Sequence, residues 1–168
     1  MLQEQRRTGV GYLEKTLLAA RKGDVLELDE VWSFVFKKSQ KVWIWLALCR
    51  RTRQIVAWMP GPRTSETLRQ LWGKIPSAYK VSTCFTDFWE SYAQVIPQDQ
   101  HRSCGKHEGE TNHIERFNLT LRQCVPRLVR KTLSFSKQHL WHYRAIRHFL
   151  VLYNTRKAKQ YLRENTFP

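Results

Sequence analysis

The sequence is organised around Val25-Leu26-Glu27-Leu28-Asp29-Glu30-Val31-Trp32, an apolar run that carries three acidic residues. Its residue types and its alternation predict a β-strand, in which Asp29 shares one face with Glu27 and Glu30 lies on the opposite, more apolar face. An isolated charge in such a strand is costly without a partner or a metal ion. The pattern leaves open whether Asp29 or Glu30 is the functional acid, and an edge strand with solvent-facing acids fits equally well.

Further apolar runs extend this strand into a sheet. Strand-like runs over 25–36, 41–50 and 54–59 predict an antiparallel meander, which Pro60-Gly61-Pro62 interrupts. The rest of the chain predicts a helix over 65–74, a strand over 81–86, a helix over 88–95, one short strand within 101–110, and helices over 111–125 and 136–153. We therefore predict an α/β fold, a mixed sheet flanked by helices in β-β-β-α-β-α order with C-terminal helices, which resembles the ribonuclease-H-like fold.

The length of the chain suits one compact domain. With 168 residues, of which 42% are hydrophobic, it can bury a core without disulfides. We expect residues 1–24 to form an N-terminal helix or arm, residues 25–153 the α/β domain, and residues 154–168 a basic, frayed C-terminal tail. The four cysteines are widely spaced and include no Cys-x-x-Cys pair, which favours free thiols.

Charge is the most unusual property of the composition. Lys and Arg number 29 against 14 Asp and Glu, which leaves a net charge of +15 at pH 7. Such a field attracts a polyanion, and nucleic acid is the expected partner. No run is long enough to span a bilayer and no apolar secretory signal begins the chain, so we expect no membrane association and a reducing compartment.

A second candidate acid, Asp87, ends the predicted strand in Phe85-Thr86-Asp87-Phe88. A carboxylate at a strand end can point across the end of the sheet toward a site. Because Glu90 follows three residues later, a helix cap is the simpler interpretation of Asp87 on spacing alone.

A third candidate acid, Glu115, lies in the clearest predicted helix, whose apolar stripe includes Ile114 and Phe117. Glu115, Asn118 and Arg122 share a second stripe beside the apolar one. A carboxylate with amide and basic groups beneath it suits a metal ion and DNA phosphates, although a Glu–Arg surface on a helix is usually only solvated. Phosphodiester chemistry with two metal ions needs about three acids.

Several separated motifs together resemble the catalytic reading frame of the insertion sequence 1 family of bacterial transposases. They are Leu28-Asp29-Glu30-Val31-Trp32, Thr86-Asp87-Phe88-Trp89 followed by Tyr92, Ile114-Glu115-Arg116-Phe117-Asn118-Leu119-Thr120-Leu121-Arg122-Gln123, Arg127-Leu128-Val129-Arg130-Lys131 and Leu133-Ser134-Phe135-Ser136-Lys137. The resemblance implies that Asp29, Asp87 and Glu115 are the catalytic Asp-Asp-Glu triad and the metal ligands, and it favours Asp29 over Glu30. It also implies two bound Mg²⁺ ions, with Mn²⁺ as an alternative metal.

The resemblance further implies a two-stage reaction on DNA. Metal-activated water cuts at the end of the mobile element and leaves a 3′-OH, which then attacks a phosphodiester of the target DNA. The implied partners are the terminal repeats of the element, the target DNA, further copies of the chain on DNA, and an upstream reading frame with zinc-ribbon and helix-turn-helix parts. We accordingly expect a bacterial cytoplasmic protein that associates with the nucleoid.

Basic and amide residues near the predicted acidic cluster are candidate DNA contacts. Arg122, on the Glu115 stripe, is the leading candidate for a phosphate contact. The full set comprises Arg116, Asn118, Arg122, Arg127, Arg130 and Lys131.

Three other interpretations of the sequence compete with this one. A basic nucleic-acid-binding module would bind DNA without metal-dependent cleavage, and a ribonuclease-H-like nuclease would cleave strands without joining them. His101, Cys104 and His107 are zinc-ligand types at short spacing. Their spacing matches no common zinc finger, so a polar loop with a free thiol is the expected structure.

Overall fold

The computed structural model describes residues 13–128 and 136–165. The strands are β1 (Val25–Phe34), β2 (Lys41–Cys49), β3 (Ile55–Gly61), β4 (Thr83–Thr86) and β5 (His101–Ser103). The helices are α1 (Ser65–Lys74), α2 (Glu90–Val95), α3 (Asn112–Cys124) and α4 (His139–Asn165). Short 3₁₀ turns cover Ser77–Tyr79, Lys106–Glu108 and Pro126–Leu128.

The five strands form one mixed sheet in the order β3-β2-β1-β4-β5. Strands β1, β2 and β3 pair antiparallel as the predicted meander, whereas β4 pairs parallel to β1 and β5 parallel to β4. The crossover through α1 is what allows β4 to run parallel to β1. The predicted α/β fold class is confirmed, and the mixed sheet with flanking helices is consistent with a ribonuclease-H-like fold.

The sheet buries a separate apolar core on each face. On one face Leu28 and Trp45 pack with Leu68 and Leu71 of α1. On the other face the strand residues Val31, Ile44 and Leu46 pack with α3 and α4. Each core is built from alternate residues of the same strands, as the two-residue period of a strand requires. The face that carries α3 is also the face of Glu27 and Asp29.

Helix α4 is longer than the sequence predicted. The predicted end near Tyr153 and the frayed tail beyond Asn154 are wrong, because the helix continues to Asn165. Asn154 is fully buried, and its side chain exchanges hydrogen bonds with the backbone N–H and C=O of Ile55, at 2.8 and 2.9 Å, on the edge strand β3. A polar residue at that position therefore anchors the helix.

The edge of the sheet also explains a second difference from the prediction. β3 extends to Gly61 through Pro60, which is paired in register with Ile44. Proline lacks the N–H that a central strand would need, but an edge strand tolerates it.

Residues 13–24 pack against the domain. Leu13 is buried in the core beneath α3 and α4, and Leu17 packs on the opposite core. The backbone N–H of Leu18 donates to the side chain of Gln54 at 3.0 Å. The division of the chain at residues 24 and 153 stays a prediction. Within 13–128 and 136–165, no helix is long and apolar enough to cross a membrane.

Candidate active site beside the central strand

The parallel pairing of β1 and β4 brings the first two candidate acids together. Its register aligns Glu27 with Phe85; Asp29 stands two residues further along β1, and Asp87 directly follows the last residue of β4. Neighbouring residues of parallel strands project from the same face of a sheet. The sheet therefore directs Asp29 and Asp87 toward the same region, beside α3.

Asp29 is the most electrostatically perturbed carboxylate of this region. Burial, together with the negative charges of Glu30, Asp87 and Glu115, raises its pKa to about 7, against a hydrogen bond from the Glu30 N–H that lowers it. Asp87 and Glu115 thus both lie close enough to Asp29 to disfavour its ionised form. Among the described residues, no Lys, Arg or His forms a salt bridge with Asp29.

Asn118 of α3 binds Asp29 directly. Its Nδ2 donates to Asp29 Oδ2 at 2.7 Å, and the residue is only 8% exposed. Its Oδ1 is buried and has no hydrogen-bond partner among the described residues. The amide therefore orients the carboxylate from the helix, and its own oxygen is available to a ligand.

Asp87 follows β4 in a turn that leads into α2. Its Oδ1 accepts a hydrogen bond from the backbone N–H of Trp89 at 3.1 Å. Trp89, not Asp87, is the N-cap residue of α2, and no side chain caps that helix. Asp87 thus stabilises the turn before the helix, which is a weaker version of the cap that its spacing to Glu90 suggested.

Glu115 lies in the first turn of α3, partly exposed, where the helix dipole favours an acid. Its Oε1 accepts a hydrogen bond from Thr111 Oγ1 at 2.9 Å. This bond holds the carboxylate at the N-terminal end of the helix, one turn before Asn118.

Glu30 differs from Asp29 because its carboxylate has an arginine and a tyrosine as hydrogen-bond donors, although burial still leaves its pKa raised. Arg63 Nε donates to Glu30 Oε1 at 2.5 Å and Tyr92 Oη donates to Oε2 at 2.8 Å. Burial raises the pKa of Glu30, and these two donors lower it. Arg63 also lies over the ring of Trp43, 5.1 Å from its centroid. Glu30 is therefore held in a polar network on the α2 side of β1.

Glu27 is a site residue that the sequence analysis did not single out. It is fully buried and accepts the backbone N–H groups of His113 and Ile114, each at 3.0 Å. Arg50 Nε donates to its Oε1 at 2.8 Å, and His113 Nδ1 lies 2.6 Å from the same oxygen. Arg50 also bonds the backbone oxygen and the carboxylate of Glu110, just before the helix, at 2.6 and 2.9 Å.

These contacts make Glu27 a clamp between β1 and α3. It satisfies N–H groups in the first helical turn, which have no partner within the helix, and it stands two residues before Asp29. The helix that carries Glu115 and Asn118 is thereby fixed to the strand that carries Asp29. The sequence signal was an acid on the Asp29 face of an apolar strand, but its partners lie 86 and 87 residues away.

The predicted basic residues fall into three groups. Arg116 and Arg127 are exposed. Arg122 Nη2 donates to the backbone oxygen of Trp32 at 3.2 Å, which ties the side chain to β1. Arg130 and Lys131 lie outside the described residues.

The donor groups of the site suit a hard divalent cation. Carboxylate and amide oxygens are the ligands that Mg²⁺ prefers, and Mg²⁺ usually keeps several waters and binds one or two carboxylates directly. A cation would compensate the buried charge of Asp29 and give Asn118 Oδ1 a partner. Within the described ranges, however, no three His, Cys, Asp or Glu side chains are already spaced to hold a metal ion together.

Two of the candidate zinc ligands make hydrogen bonds to Thr86 instead. His101 Nε2 lies 2.8 Å from Thr86 Oγ1, and the Cys104 thiol donates to the Thr86 carbonyl at 3.3 Å. His107 is exposed. All four cysteines are free thiols.

The pKa of Asp29 predicts how the metal-free protein responds to pH. Because the folded pKa of about 7 lies above the unfolded value of about 3.9, stability falls as the pH rises from about 4 through 7. Asp29→Asn removes this loss, and Asn118 can flip its amide so that its unpaired Oδ1 accepts the new N–H. We expect Asp29→Asn to stabilise the metal-free chain by a few kcal/mol at pH 8 and by much less at pH 5.

Urea unfolding of both proteins at the two pH values, in the presence of a chelator, measures this difference. Glu66→Gln, an exposed acid on α1, is the control and should show little pH dependence. An Asp29→Asn protein that is no more stable than the parent at pH 8 would contradict the described environment of Asp29.

Comparisons with known proteins agree with the resemblance seen in the sequence. Residues 24–156 match the family model described as IS1 transposase. The chain is 40% identical over 126 residues to insertion element iso-IS1n protein InsB of Shigella dysenteriae, which covers 75% of this chain and 93% of that protein. It is 40% identical over 124 residues to insertion element IS1 protein InsB of Shigella flexneri, covering 74% and 92%.

Insertion element IS1 4 protein InsB of Escherichia coli strain K12 is 38% identical over 124 residues, which covers 74% of this chain and 72% of that protein. The match to the family model and the identity to these relatives span most of β1 to α4. The chain therefore belongs to the IS1 transposase family.

Proposed function

We propose that this chain is the catalytic domain of a metal-dependent DNA transposase, with Asp29, Asp87 and Glu115 as its catalytic carboxylates. The observation that carries the proposal is that Asp87 and Glu115 both lie close enough to raise the pKa of one buried carboxylate, Asp29, which lacks a basic partner among the described residues. Such an arrangement is unfavourable for folding alone. Binding of a divalent cation would remove the penalty.

The proposed cofactor is Mg²⁺, as two ions, with Mn²⁺ as an alternative. Asp29, Asp87 and Glu115 would hold it, with Asn118 Oδ1 as a further oxygen ligand. When bound, it would stabilise the charge that develops on the phosphate and lower the pKa of water or of a 3′-OH.

Other residues of the chain would position the carboxylates and bind the DNA. Asn118 keeps the Asp29 carboxylate oriented, and Glu27 keeps α3 against β1, so that Glu115 stays beside the two aspartates. Arg122 lies on the same stripe of α3 as Glu115 and Asn118, bonded to the backbone oxygen of Trp32, and would bind a phosphate of the DNA. In the first stage the oxygen of water bonds to phosphorus at the element end and the 3′ oxygen leaves as a 3′-OH. In the second stage this 3′-OH attacks a target phosphodiester, whose own 3′ oxygen leaves.

The partners follow from this chemistry. They are the terminal repeats of the element, the target DNA, further copies of the chain assembled on DNA, and an upstream DNA-binding part. Such an enzyme would act in the bacterial cytoplasm, on the nucleoid.

A supercoiled plasmid that carries matched element ends tests the function. We expect the chain, joined to an upstream DNA-binding part, to give both cleaved ends and joined products with Mg²⁺ and neither with a chelator. Cleavage without joining would identify a nuclease. Binding without either product would identify a DNA-binding module.

Arg122→Ala tests the proposed phosphate contact. We expect it to weaken DNA binding severalfold near 0.1 M salt and to lower the slope of log K against log salt by about 0.9, the value for one phosphate contact. Fluorescence anisotropy over a salt series measures both. Arg69→Ala, on the far layer of helices, is the control. An unchanged slope in Arg122→Ala would remove Arg122 from the DNA interface.

A further inference from the structure

The outer face of α4 carries a groove that the proposed catalytic chemistry does not use. Its first part, about 760 Å³, lies between the C-terminal end of α3 and α4 and is lined by basic and apolar groups that include Arg127, Lys137 and Trp141. Its second part, about 620 Å³, follows the last turns of α4. Leu152 lines both parts, which makes them continuous.

The groove follows one face of the helix along most of its length. A row of its helical lining residues follows steps of three or four, which is the spacing of a single helix face. The row comprises Trp141, Ala145, His148, Leu152, Arg156, Lys159 and Arg163, and the adjacent residues Phe149, Thr155, Gln160 and Glu164 widen the same face.

The opposite face of α4 is bound to the domain, so the groove face is turned outward. Tyr161 lies beneath Arg51 and Arg21, whose guanidinium carbons are 5.3 and 5.9 Å from its ring centroid. Arg21 Nη1 also bonds the Tyr161 hydroxyl at 3.4 Å. Half a turn away, Lys159 and Arg163 are exposed. The last part of the helix is therefore held as a fixed basic ridge.

Charge decides which partner fits this face. One acid, Glu164, lines the groove, at its far end, against five Lys and Arg residues: Arg127, Lys137, Arg156, Lys159 and Arg163. A polyanion gains from this field, whereas a second copy docked on the same face would bring like charges together. Trp141 and Leu152, 51% and 56% exposed, supply apolar contacts that the sugars of a nucleic acid can cover.

The dimensions and position of the groove fit a DNA duplex. A helix of 27 residues is about 40 Å long, close to the roughly 34 Å of one B-DNA turn. The groove begins at Cys124, nine residues beyond Glu115 on α3, a distance of about 14 Å along the helix. DNA that reaches the candidate active site can therefore continue along α4.

We propose that the outer face of α4 is a second DNA-binding surface, which holds duplex DNA by its phosphates beyond the candidate active site. Lys159 and Arg163 are its principal contacts at the far end, and Arg127 and Lys137 are its contacts near α3. Because phosphate contacts carry no sequence information, this surface binds DNA irrespective of base sequence. It requires no metal ion and is independent of the catalytic proposal.

The double variant Lys159→Gln/Arg163→Gln tests this surface. Glutamine keeps the helix propensity and removes the charge. We expect metal-free binding of the 168-residue chain to a duplex of about 30 base pairs to weaken ~10-fold near 0.1 M salt, with the salt slope reduced by about 2. The matched control Arg69→Gln/Lys80→Gln removes the same charge from the opposite layer and should change affinity less than about twofold, since only the nonspecific field changes.

Three binding results would each overturn the proposal. They are a parent chain that does not bind duplex DNA, an unchanged salt slope in Lys159→Gln/Arg163→Gln, and an equal loss in the control pair. Sedimentation of the DNA-free chain gives an independent readout. A dimer that Leu152→Glu dissociates would assign this face to a second copy of the chain and would also overturn the proposal. Because DNA binding is measured without Mg²⁺, a failure of this proposal is distinguishable from a failure of the proposed catalytic function.

Discussion

Asp29→Asn, Asp87→Asn and Glu115→Gln are each expected to reduce Mg²⁺-dependent end cleavage and joining by at least ~1,000-fold, equivalent to about 4 kcal/mol of transition-state stabilisation. Each substitution preserves the size of the side chain and removes one charged oxygen ligand. The fold should be retained, because Asn and Gln can still accept the bonds that Glu30 N–H, Trp89 N–H and Thr111 Oγ1 donate. Product formation on the supercoiled donor measures the loss.

Two other acids serve as controls for this experiment. Glu90, exposed in the first turn of α2, should tolerate glutamine with activity close to the parent. Glu30→Gln should have a milder effect than the three site variants, because the Glu30 carboxylate is committed to Arg63 and Tyr92. DNA binding in a chelator checks that each protein remains intact. A Glu30→Gln loss as large as that of Asp29→Asn would place Glu30 in the catalytic site.

Glu27→Ala is expected to be the most destabilising single substitution of the site, by about 3–5 kcal/mol. The substitution removes the buried carboxylate that accepts a hydrogen bond from Arg50. It also leaves the backbone N–H groups of His113 and Ile114 without a hydrogen-bond acceptor. Removing one member of a buried, hydrogen-bonded ion pair lowers the free energy of unfolding far more than removing a similar pair from the surface, because the remaining group stays buried without a partner. Denaturant unfolding in a chelator measures the change.

Glu66→Ala is the matched control for Glu27→Ala. Glu66 pairs with Arg69 on the exposed face of α1 at 3.6 Å, and such a pair contributes less than about 1 kcal/mol. If the two variants lost similar amounts of stability, Glu27 would not be the residue that fixes α3 to β1. A Glu27→Gln protein should lie between them, since its amide retains one acceptor oxygen.

The order of helices and strands was predictable because short-range periodicity encodes it. The helix over Ser65–Lys74 was predicted with its observed limits, and the other elements except α4 shifted by a few residues. The C-terminal end of α4 was not predictable from the same pattern. Its continuation depends on Asn154, a polar residue whose burial is produced by the edge of β3 nearly one hundred residues earlier.

The positions of the three candidate acids on a strand, at a strand end and on an amphipathic helix were predictable from the sequence, whereas the contacts that support them were not. The parallel pairing of β1 with β4, which brings Asp29 and Asp87 together, is a non-local feature that the sequence analysis did not specify. Spacing alone did not separate Asp29 from Glu30, whereas the structure gives Glu30 its own partners. The support from Glu27 and the bond from Asn118 to Asp29 arise from contacts 86 to 89 residues apart, which no local pattern contains.

The joined product formed by the Glu115→Gln protein tests the central claim most directly, because Glu115 is the acid that comes from a helix and not from the sheet. The assay uses the supercoiled donor with matched ends, Mg²⁺, and the chain joined to an upstream DNA-binding part. The proposed catalytic site predicts joined product from the parent and at most ~0.1% of it from Glu115→Gln, with DNA binding unchanged. Joining by Glu115→Gln at the parental level would contradict it.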